Sequence, residues 1–257
     1  MKVDELLALF LVAGDKLSRS TLAHLCAREV ESEYRYGWQQ ALWRAGQRGL
    51  LQRHQKARDV IYALTAMGRQ AVQQVGNPTA GWGFKWDGQW RLFLFDLPAH
   101  EHQLRQMLWR WLREHRFWYL QDSVWVRPEP VEDLVKTLEW FRENPEHFVL
   151  LEARRITGVS PEALVAGAWD FGKVNERYKH YLEQVKRAQK QLLSPLADSN
   201  PLALLSDERR DYERSLEIDP LLPRVLLPQS YLGYRAFDAH QEFTRGVRKL
   251  IGRTILS

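Results

Sequence analysis

The chain has 257 residues, of which 45% are hydrophobic and 12% aromatic, so it has ample material for folded cores and large-scale disorder is excluded. This length suggests two or three domains. The formal net charge is +5, and the first 75 residues hold 11 basic against 7 acidic residues, an excess of 4. A modest excess of this kind fits a polyanionic partner only where the cations share one surface.

Two further features exclude classes of protein. Cys26 is the single cysteine, which rules out an intrachain disulfide or a cysteine-based zinc cluster within one chain and favours a reducing compartment. The longest uninterrupted apolar run, residues 6–13, is far shorter than the roughly 18–20 residues that span a bilayer. Acidic Asp4 and Glu5 precede it, where a signal peptide would be basic. We therefore expect a cytoplasmic protein without a membrane partner.

Three helices are predicted in the first 50 residues. The first covers about Val3 to Val12, and the second begins at Ser18 or Ser20, both of which are good N-cap residues. The third starts after Ser32, runs to about Gln47 and ends at Gly49. Its buried stripe is predicted to consist of Tyr34, Trp38, Ala41, Leu42 and Ala45.

The opposite face of the third helix carries long polar side chains. Glutamine and arginine can make bidentate hydrogen bonds to adenine and guanine edges in the major groove, whereas a helix that faces only water more often carries Glu and Lys. Tyr36 and Trp43 can equally pack against a partner subunit. The predicted base-reading face consists of Arg35, Tyr36, Gln39, Gln40, Trp43, Arg44 and the nearby Gln47.

A hairpin follows the third helix. Residues 50–54 and 59–64 are predicted to be its strands, with a basic tip at residues 55–58, and Thr65 is predicted to cap a closing helix that ends at Val75. Three helices and a basic hairpin indicate a winged helix-turn-helix. Its wing would neutralise DNA phosphates through Arg53, His54, Lys56 and Arg58. A winged helix that serves only protein contacts is the alternative.

Residues 76–83, GNPTAGWG, are rich in turn formers and are predicted to link this 1–75 domain to the next. The following segment, 84–158, has the order β-α-β-β-α-β of a ferredoxin-like unit, which we expect to dimerise. It opens with a buried strand in Trp86–Pro98, and the stripe Leu104, Met107, Leu108, Trp111 and Leu112 predicts its first helix. Residues 131–141 predict its second helix.

Asp96 stands at the end of the first predicted strand, where a catalytic carboxylate can lie. The order of elements and this Asp resemble the small CRISPR-associated nuclease subunit, in which a strand-end Asp has been linked to a metal. Asp96 is followed at once by Leu97 and Pro98, however, and can cap a turn. No metal-spaced cluster accompanies it. We therefore predict neither a metal site nor catalysis, and keep a metal-dependent nuclease as the alternative.

Residues 159–257 are predicted to be mostly helical. Helices are expected after Ser160, over about 169–190 and 207–216, and over about 234–251. No glycine-rich phosphate loop and no nucleophile elbow is present in this sequence. His240, on the stripe of the last helix, is expected to be a core or interface residue. The fold class is thus α+β multidomain, and no cofactor is expected.

Three stretches resemble a known family in chain order. They are WDGQWRLFLFDLP (86–98) with SVWVRP (123–128), AWDFGKVNERYKHYL (168–182) and IDPLLPRVLLPQSYLGYRAF (218–237). Together they are similar to the PaaX-like transcriptional repressors of phenylacetic acid degradation. The resemblance implies a homodimer that binds a double-stranded DNA operator and leaves it when an acyl-CoA such as phenylacetyl-CoA binds. No stretch of this sequence predicts where such an effector is held.

Overall fold

The computed structural model describes the chain apart from residues 1, 28–31, 57, 75, 99, 132–146, 194–200 and 257; at 24, 25, 27, 32–36, 74, 202 and 252–256 it describes the backbone only. The chain forms two compact units. The first unit consists of residues 1–77, 176–218 and 232–257, and the second of residues 78–175 and 219–231. The chain is a mixed α+β protein with antiparallel sheets, which confirms this part of the predicted fold class. The predicted three-domain division stays a prediction.

The first 77 residues contribute helices and a small antiparallel sheet to the first unit. The strands lie in the order β1-β3-β2. The elements are α1 (Val3–Val12), β1 (Lys16–Ser18), α2 (Arg19–Ala27), α3 (Ser32–Gln47), β2 (Leu51–Lys56), β3 (Asp59–Leu64) and α4 (Ala66–Gln74).

Two predicted caps are present at the start of these helices. The hydroxyl of Ser18 accepts a hydrogen bond from the Thr21 amide at 3.0 Å, and that of Thr65 accepts one from the Gly68 amide at 2.9 Å. Each bond satisfies an amide that lacks an intrahelical partner. Strand β1 was not predicted, because its three residues are too few for a periodic pattern and its pairing partner, β3, lies more than 40 residues away.

The rest of the first unit, as far as it is described, is formed mainly by helices. It comprises residues 176–193 of α8 (Phe171–Leu193), α9 (Pro201–Leu216) and α10 (Gly233–Leu256). Tyr178, Tyr181 and Val185 of α8 are buried. The Arg248 guanidinium on α10 donates to the carbonyls of Leu11 at 2.6 Å and Val12 at 3.2 Å, and so satisfies the carboxyl end of α1.

A four-stranded antiparallel sheet forms the centre of the second unit. Its strands lie in the order β5-β6-β4-β7. They are β4 (Trp90–Phe95), β5 (Trp118–Gln121), β6 (Val124–Arg127) and β7 (Phe148–Ala153), accompanied by α5 (Thr79–Trp82), α6 (His102–Glu114), α7 (Pro161–Ala168) and a 3₁₀ turn at Arg224–Leu226. All but the first residue of the helix predicted over 131–141 lie outside the described residues.

Both faces of β4 are covered, in agreement with its prediction as a buried strand. Phe93 and Phe95 pack with Leu108 and Leu112 of α6 on one face, while Trp90 packs with α7 on the other. The prediction that Met107 belongs to the buried stripe of α6 is wrong, since its side chain is 52% exposed. It lies about 100° from Leu108 around the helix, beyond the edge of the stripe.

The segment predicted as a linker contains structure of its own. Helix α5 occupies its middle, and Trp82 is buried with its indole donating to the hydroxyl of Tyr231 at 3.1 Å. The backbone at Gly81 passes so close to Leu221 that a Cβ there would lie 2.4 Å from the Leu221 carbonyl oxygen. Glycine at position 81 thus allows two backbone segments to lie in close contact, which a side chain there would prevent.

Candidate nucleic-acid interface

Helix α3 separates its buried and exposed side chains as its sequence predicted. Trp38, Ala41, Leu42 and Ala45 are buried. Trp43 is 67% exposed, although an indole of this size is normally covered. Four further predicted or neighbouring residues of the face are exposed, namely Gln39, Gln40, Arg44 and Gln47. The side chains of Tyr34, which was predicted to belong to the buried stripe, and of Arg35 and Tyr36 lie outside the described residues.

The outer strand of the hairpin, β2, is exposed along most of its length. Leu51 at the start of β2 is buried, but every later residue of this edge strand is exposed on both faces of the sheet. A strand with neither face covered gains little from its own packing, so its cations are available to a partner. Arg53, His54, Lys56 and Arg58 are all exposed, as predicted.

The tip of the hairpin is shorter than the sequence indicated. Gln55 and Lys56 were predicted to lie in the turn, but they pair with Val60 and Asp59 and belong to β2. The polar composition of this stretch resembled a turn because no face of the strand is buried there, so the period-2 signal is absent. Ala57 lies outside the described residues.

A groove of about 450 Å³ brings part of the predicted face and part of the hairpin together. Gln39, Trp43 and Gln47 of α3 line one wall, and Arg53 of β2 lines the other. Gln40, Arg44, His54, Lys56 and Arg58 do not line the groove, so they lie beside it or further along the hairpin.

Two residues of the groove were missed by the sequence prediction. Arg19 is the first residue of α2, and Tyr62 pairs with Arg53 across the hairpin. The sequence did contain a signal for Arg19. This residue directly follows the cap residue Ser18, so its side chain was expected at the exposed start of a helix. Tyr62 could not be placed without the strand register.

A polar cluster fixes the hairpin to the start of α2. The hydroxyls of Ser18 and Ser20 lie 2.8 Å apart, and that of Ser20 donates to the carboxylate of Asp59, the first residue of β3. This hydrogen bond from Ser20, together with one from the Val60 amide, lowers the pKa of Asp59 below its ordinary value. Asp59 is thus ionised at neutral pH and orients the hairpin relative to the helices.

The cations of this surface are not neutralised within the described part of the chain. No described carboxylate lies within 4.0 Å of the charged groups of Arg19, Arg44, Arg53, Lys56 or Arg58. Exposed amides, guanidinium groups and an indole on one surface can bind phosphates and base edges.

Asp96 has no comparable setting. Its carboxylate is exposed and accepts no hydrogen bond from a described residue. The turn cap that its position in the sequence allowed is therefore absent among the described residues. The next helix, α6, begins only at His102, too far along the chain for Asp96 to cap it. Over the described residues no group of three or more His, Cys, Asp or Glu side chains is arranged to hold a metal ion. None of the described helices is both long and apolar enough to cross a membrane.

Comparisons with known proteins identify the family. Residues 84–165 match the model of the PaaX protein central Cas2-like domain, and residues 169–254 match that of the PaaX-like protein C-terminal domain. The comparison with curated proteins found no match. Among solved structures, the uncharacterized protein Rv0674 from Mycobacterium tuberculosis is 21% identical, with a TM-score of 0.54 over 92% of this chain and 90% of its own. At this identity the likeness concerns the fold alone. Because the two family models together match about two thirds of its length, the chain belongs to the PaaX-like family.

Proposed function

We propose that this protein is a sequence-specific DNA-binding transcriptional repressor. The observation that carries the proposal is the groove in which Gln39, Trp43 and Gln47 of α3 face Arg53 of the hairpin and Arg19 of α2. The domain matches support a regulator, because regulation of transcription is the known role of this family. They also favour a role other than catalysis.

The proposed domain is a winged helix-turn-helix with α3 as its recognition helix and β2–β3 as its wing. Gln40 and Arg44, which are exposed on α3, would read base edges in a major groove. Lys56 and Arg58, near the tip of the hairpin, would neutralise phosphates. His54 would assist them as a hydrogen-bond donor.

We further propose that the protein acts as a homodimer through the sheet of the second unit. Its order β5-β6-β4-β7 is the order of a ferredoxin-like unit, and its edge strand β7 leaves Val149 and Leu151 half exposed. Apolar residues on an unpaired edge are typical of a surface that meets a partner. A two-fold dimer predicts a pseudo-palindromic operator with half-sites about one helical turn apart, or a multiple of it.

Base reading is tested by selecting DNA duplexes that bind from a random pool and measuring affinities by fluorescence anisotropy. Gln40→Ala or Arg44→Ala should each weaken binding to the selected sequence by roughly 1–3 kcal/mol and relax its specificity. Gln70→Ala and Arg245→Ala, at exposed positions on other helices, are matched controls and should bind like the wild type. If Gln40→Ala and Arg44→Ala behaved like these controls, α3 would not be the reading helix.

The effector proposed from the family is an acyl-CoA such as phenylacetyl-CoA. A ligand can release the operator only if the DNA-competent and incompetent states bind it with different affinities. A gel-shift titration with phenylacetyl-CoA tests this, with free coenzyme A as the control. Release by the thioester alone supports this effector, whereas an unchanged complex at about millimolar thioester removes it.

A further inference from the structure

The second unit contains a cleft of about 870 Å³. Strand β5, helix α7, the start of α8 and the loop 225–230 line it. Its volume lies in the range of about 300–1,000 Å³ that is usual for small-molecule sites. All of its lining residues belong to this one unit.

Aromatic rings line much of the cleft. The rings of Trp118 and Trp169 have their centroids 6.2 Å apart, and Trp169 is only 2% exposed, so its ring packs in the core and holds Trp118 in place without offering a free face of its own. Phe171, which also lines the cleft, contacts Tyr231 edge-on at 6.0 Å. Fixed flat rings favour a flat apolar ligand that can stack on them or meet their edges.

Apolar side chains at the cleft also remain in water. Val225 is 76% exposed and Tyr119 is 48% exposed, and both line the cleft. Contact of either side chain with an apolar group of a ligand would favour binding, because burial of apolar surface contributes about 25 cal/mol per Å² to the binding free energy. Covering them is therefore a source of binding energy for a ligand.

The charges of the cleft restrict the ligand further. Among its described lining residues none is Lys, Arg or His, and Glu162 and Asp170 are acidic. The pKa of Glu162 is lowered by a hydrogen bond from its own amide, and that of Asp170 by one from the Lys173 amide, so both are ionised at neutral pH. The ammonium of Lys173 lies just outside the lining and is already paired with Asp170 at 3.3 Å, so a carboxylate or phosphate placed here would meet the charge of Glu162 without a lining cation to bind it.

We propose that this cleft is a binding site for an uncharged aromatic molecule or an uncharged aromatic part of a larger one. The observations that carry it are the rings of Trp118, Tyr119 and Phe171, in a cleft whose described lining residues include no cation. The site goes beyond the effector proposed above, because it assigns residues that neither the motifs nor the family match singles out. It holds whether or not the chain binds DNA. If an acyl thioester enters, only its acyl end fits here, and its phosphates must stay outside.

The test uses two probes of nearly the same shape, neutral benzamide and anionic benzoate, with the full-length protein. Ligand-observed NMR detects binding and isothermal titration calorimetry measures it. Benzamide should bind with a Kd of about a millimolar, as expected for a ligand of this size, and benzoate should bind about tenfold more weakly. No DNA is present, so failure of this proposal and failure of DNA binding are separate results.

The location is tested by filling the cleft. Gly167 lines it, and a Cβ there would meet only Leu120 Cδ1 at 3.9 Å, so Gly167→Leu adds bulk without displacing backbone. This variant should weaken benzamide by about tenfold or more. Ala66→Leu, at an exposed position on α4 in the first unit, is the matched control and should leave the affinity unchanged. Ala166→Leu, at an exposed lining position, repeats the test if Gly167→Leu does not fold.

Three results would overturn the proposal. The first is no detectable benzamide binding at about 10 mM. The second is equal affinity for benzoate, which would refute the argument from charge. The third is unchanged benzamide affinity in a folded Gly167→Leu or Ala166→Leu protein, which would place the binding elsewhere.

Discussion

Two arginines are buried opposite each other in the sheet of the second unit. Arg91 on β4 and Arg127 on β6 are register partners, only 2% and 9% exposed. Arg91 binds Asp87 at 2.7 Å and Glu152 at 3.1 Å, whereas Arg127 donates to the His115 carbonyl at 2.5 Å. Each cation thus has its own oxygen partners, which offset the repulsion expected between like charges on adjacent strands.

Replacing Arg91 by Met should destabilise the protein by about 3 kcal/mol. The change leaves the carboxylates of Asp87 and Glu152 and the carbonyl of Pro128 without their donor. Urea unfolding measures the loss. Lys173→Met, which breaks an exposed ion pair with Asp170, is the control and should cost less than about 1 kcal/mol. An equal effect of the two changes would show that burial does not determine the strength of the Arg91 contacts.

The carboxylate of Glu5 makes the stability of the first unit depend on pH. It accepts hydrogen bonds from the Lys2 amide at 2.7 Å and the Ser206 hydroxyl at 3.2 Å. Burial, the largest single influence, raises the pKa of Glu5, but these bonds and the nearby positive charges outweigh it and lower the pKa below 4.5. A lowered pKa stabilises the fold above the ordinary value, and this stabilisation is lost as pH falls through the folded value.

Glu5→Gln should therefore lower the free energy of unfolding at neutral pH by about 1 kcal/mol, a modest loss because the group is only partly buried. The difference from the wild type should shrink as the pH falls from neutral to below 4.5, through the lowered pKa of Glu5. Denaturant unfolding over this range checks it. Glu242→Gln, at an exposed position on α10, should show no such change. A difference independent of pH would mean that the charge of Glu5 is not involved.

At the scale of elements, the entry into α4 depends on a close backbone contact. A Cβ on Gly68 would lie 2.0 Å from the Leu50 carbonyl oxygen, so a side chain there must displace the backbone before β2. Gly46 in α3 is the opposite case, with nothing within 4 Å of an added Cβ. The two glycines therefore separate steric need from helix propensity.

We expect Gly68→Ala to lower stability by about 2 kcal/mol or more, because the hairpin base and α4 must move apart. Gly46→Ala should leave stability unchanged or raise it by up to about 1 kcal/mol, since alanine favours the helix. Thermal unfolding of both variants measures the two effects. The same destabilisation in both would contradict the packing argument at Gly68.

Local signals predicted most helices and strands, but not their limits or their pairing. Ser18 and Thr65 marked helix starts because a cap is a contact over three residues. The hairpin tip was misplaced at Gln55 and Lys56, where exposure on both faces removed the strand pattern. In α6, helical periodicity predicted Leu108 and Leu112 but could not define the edge of the buried stripe, where Met107 lies.

At the scale of the whole molecule, contacts between distant parts of the chain were beyond sequence reasoning. The Arg248 guanidinium binds the carbonyl of Val12, 236 residues away, and Ser206 binds Glu5, 201 residues away. No local sequence pattern predicts either of these two contacts. The candidate interface was predicted as two separate segments, and only the fold showed that Arg53 shares a groove with Gln39 and that Arg19 joins them.

The motifs in the second unit identified the family correctly, but not the cleft. Trp118, Trp169 and Val225 come from three separate stretches of sequence and meet only in the folded unit. Arg91 lay within a strand that read as apolar, so its burial with Arg127 was not predicted either. Sequence therefore indicated which elements form, whereas the sites depend on how the elements pack.

The proposed function requires that the hairpin beside α3 binds the phosphates of DNA. The most direct test is the salt dependence of affinity for a selected duplex, measured by fluorescence anisotropy between about 50 and 200 mM salt. Log affinity should fall linearly with log salt concentration. The double variant Lys56→Ala, Arg58→Ala should reduce the slope by roughly 2, while Lys186→Ala, Arg187→Ala, exposed on α8, should not change it. Binding without salt dependence, or a wild-type slope in the hairpin variant, would contradict the claim.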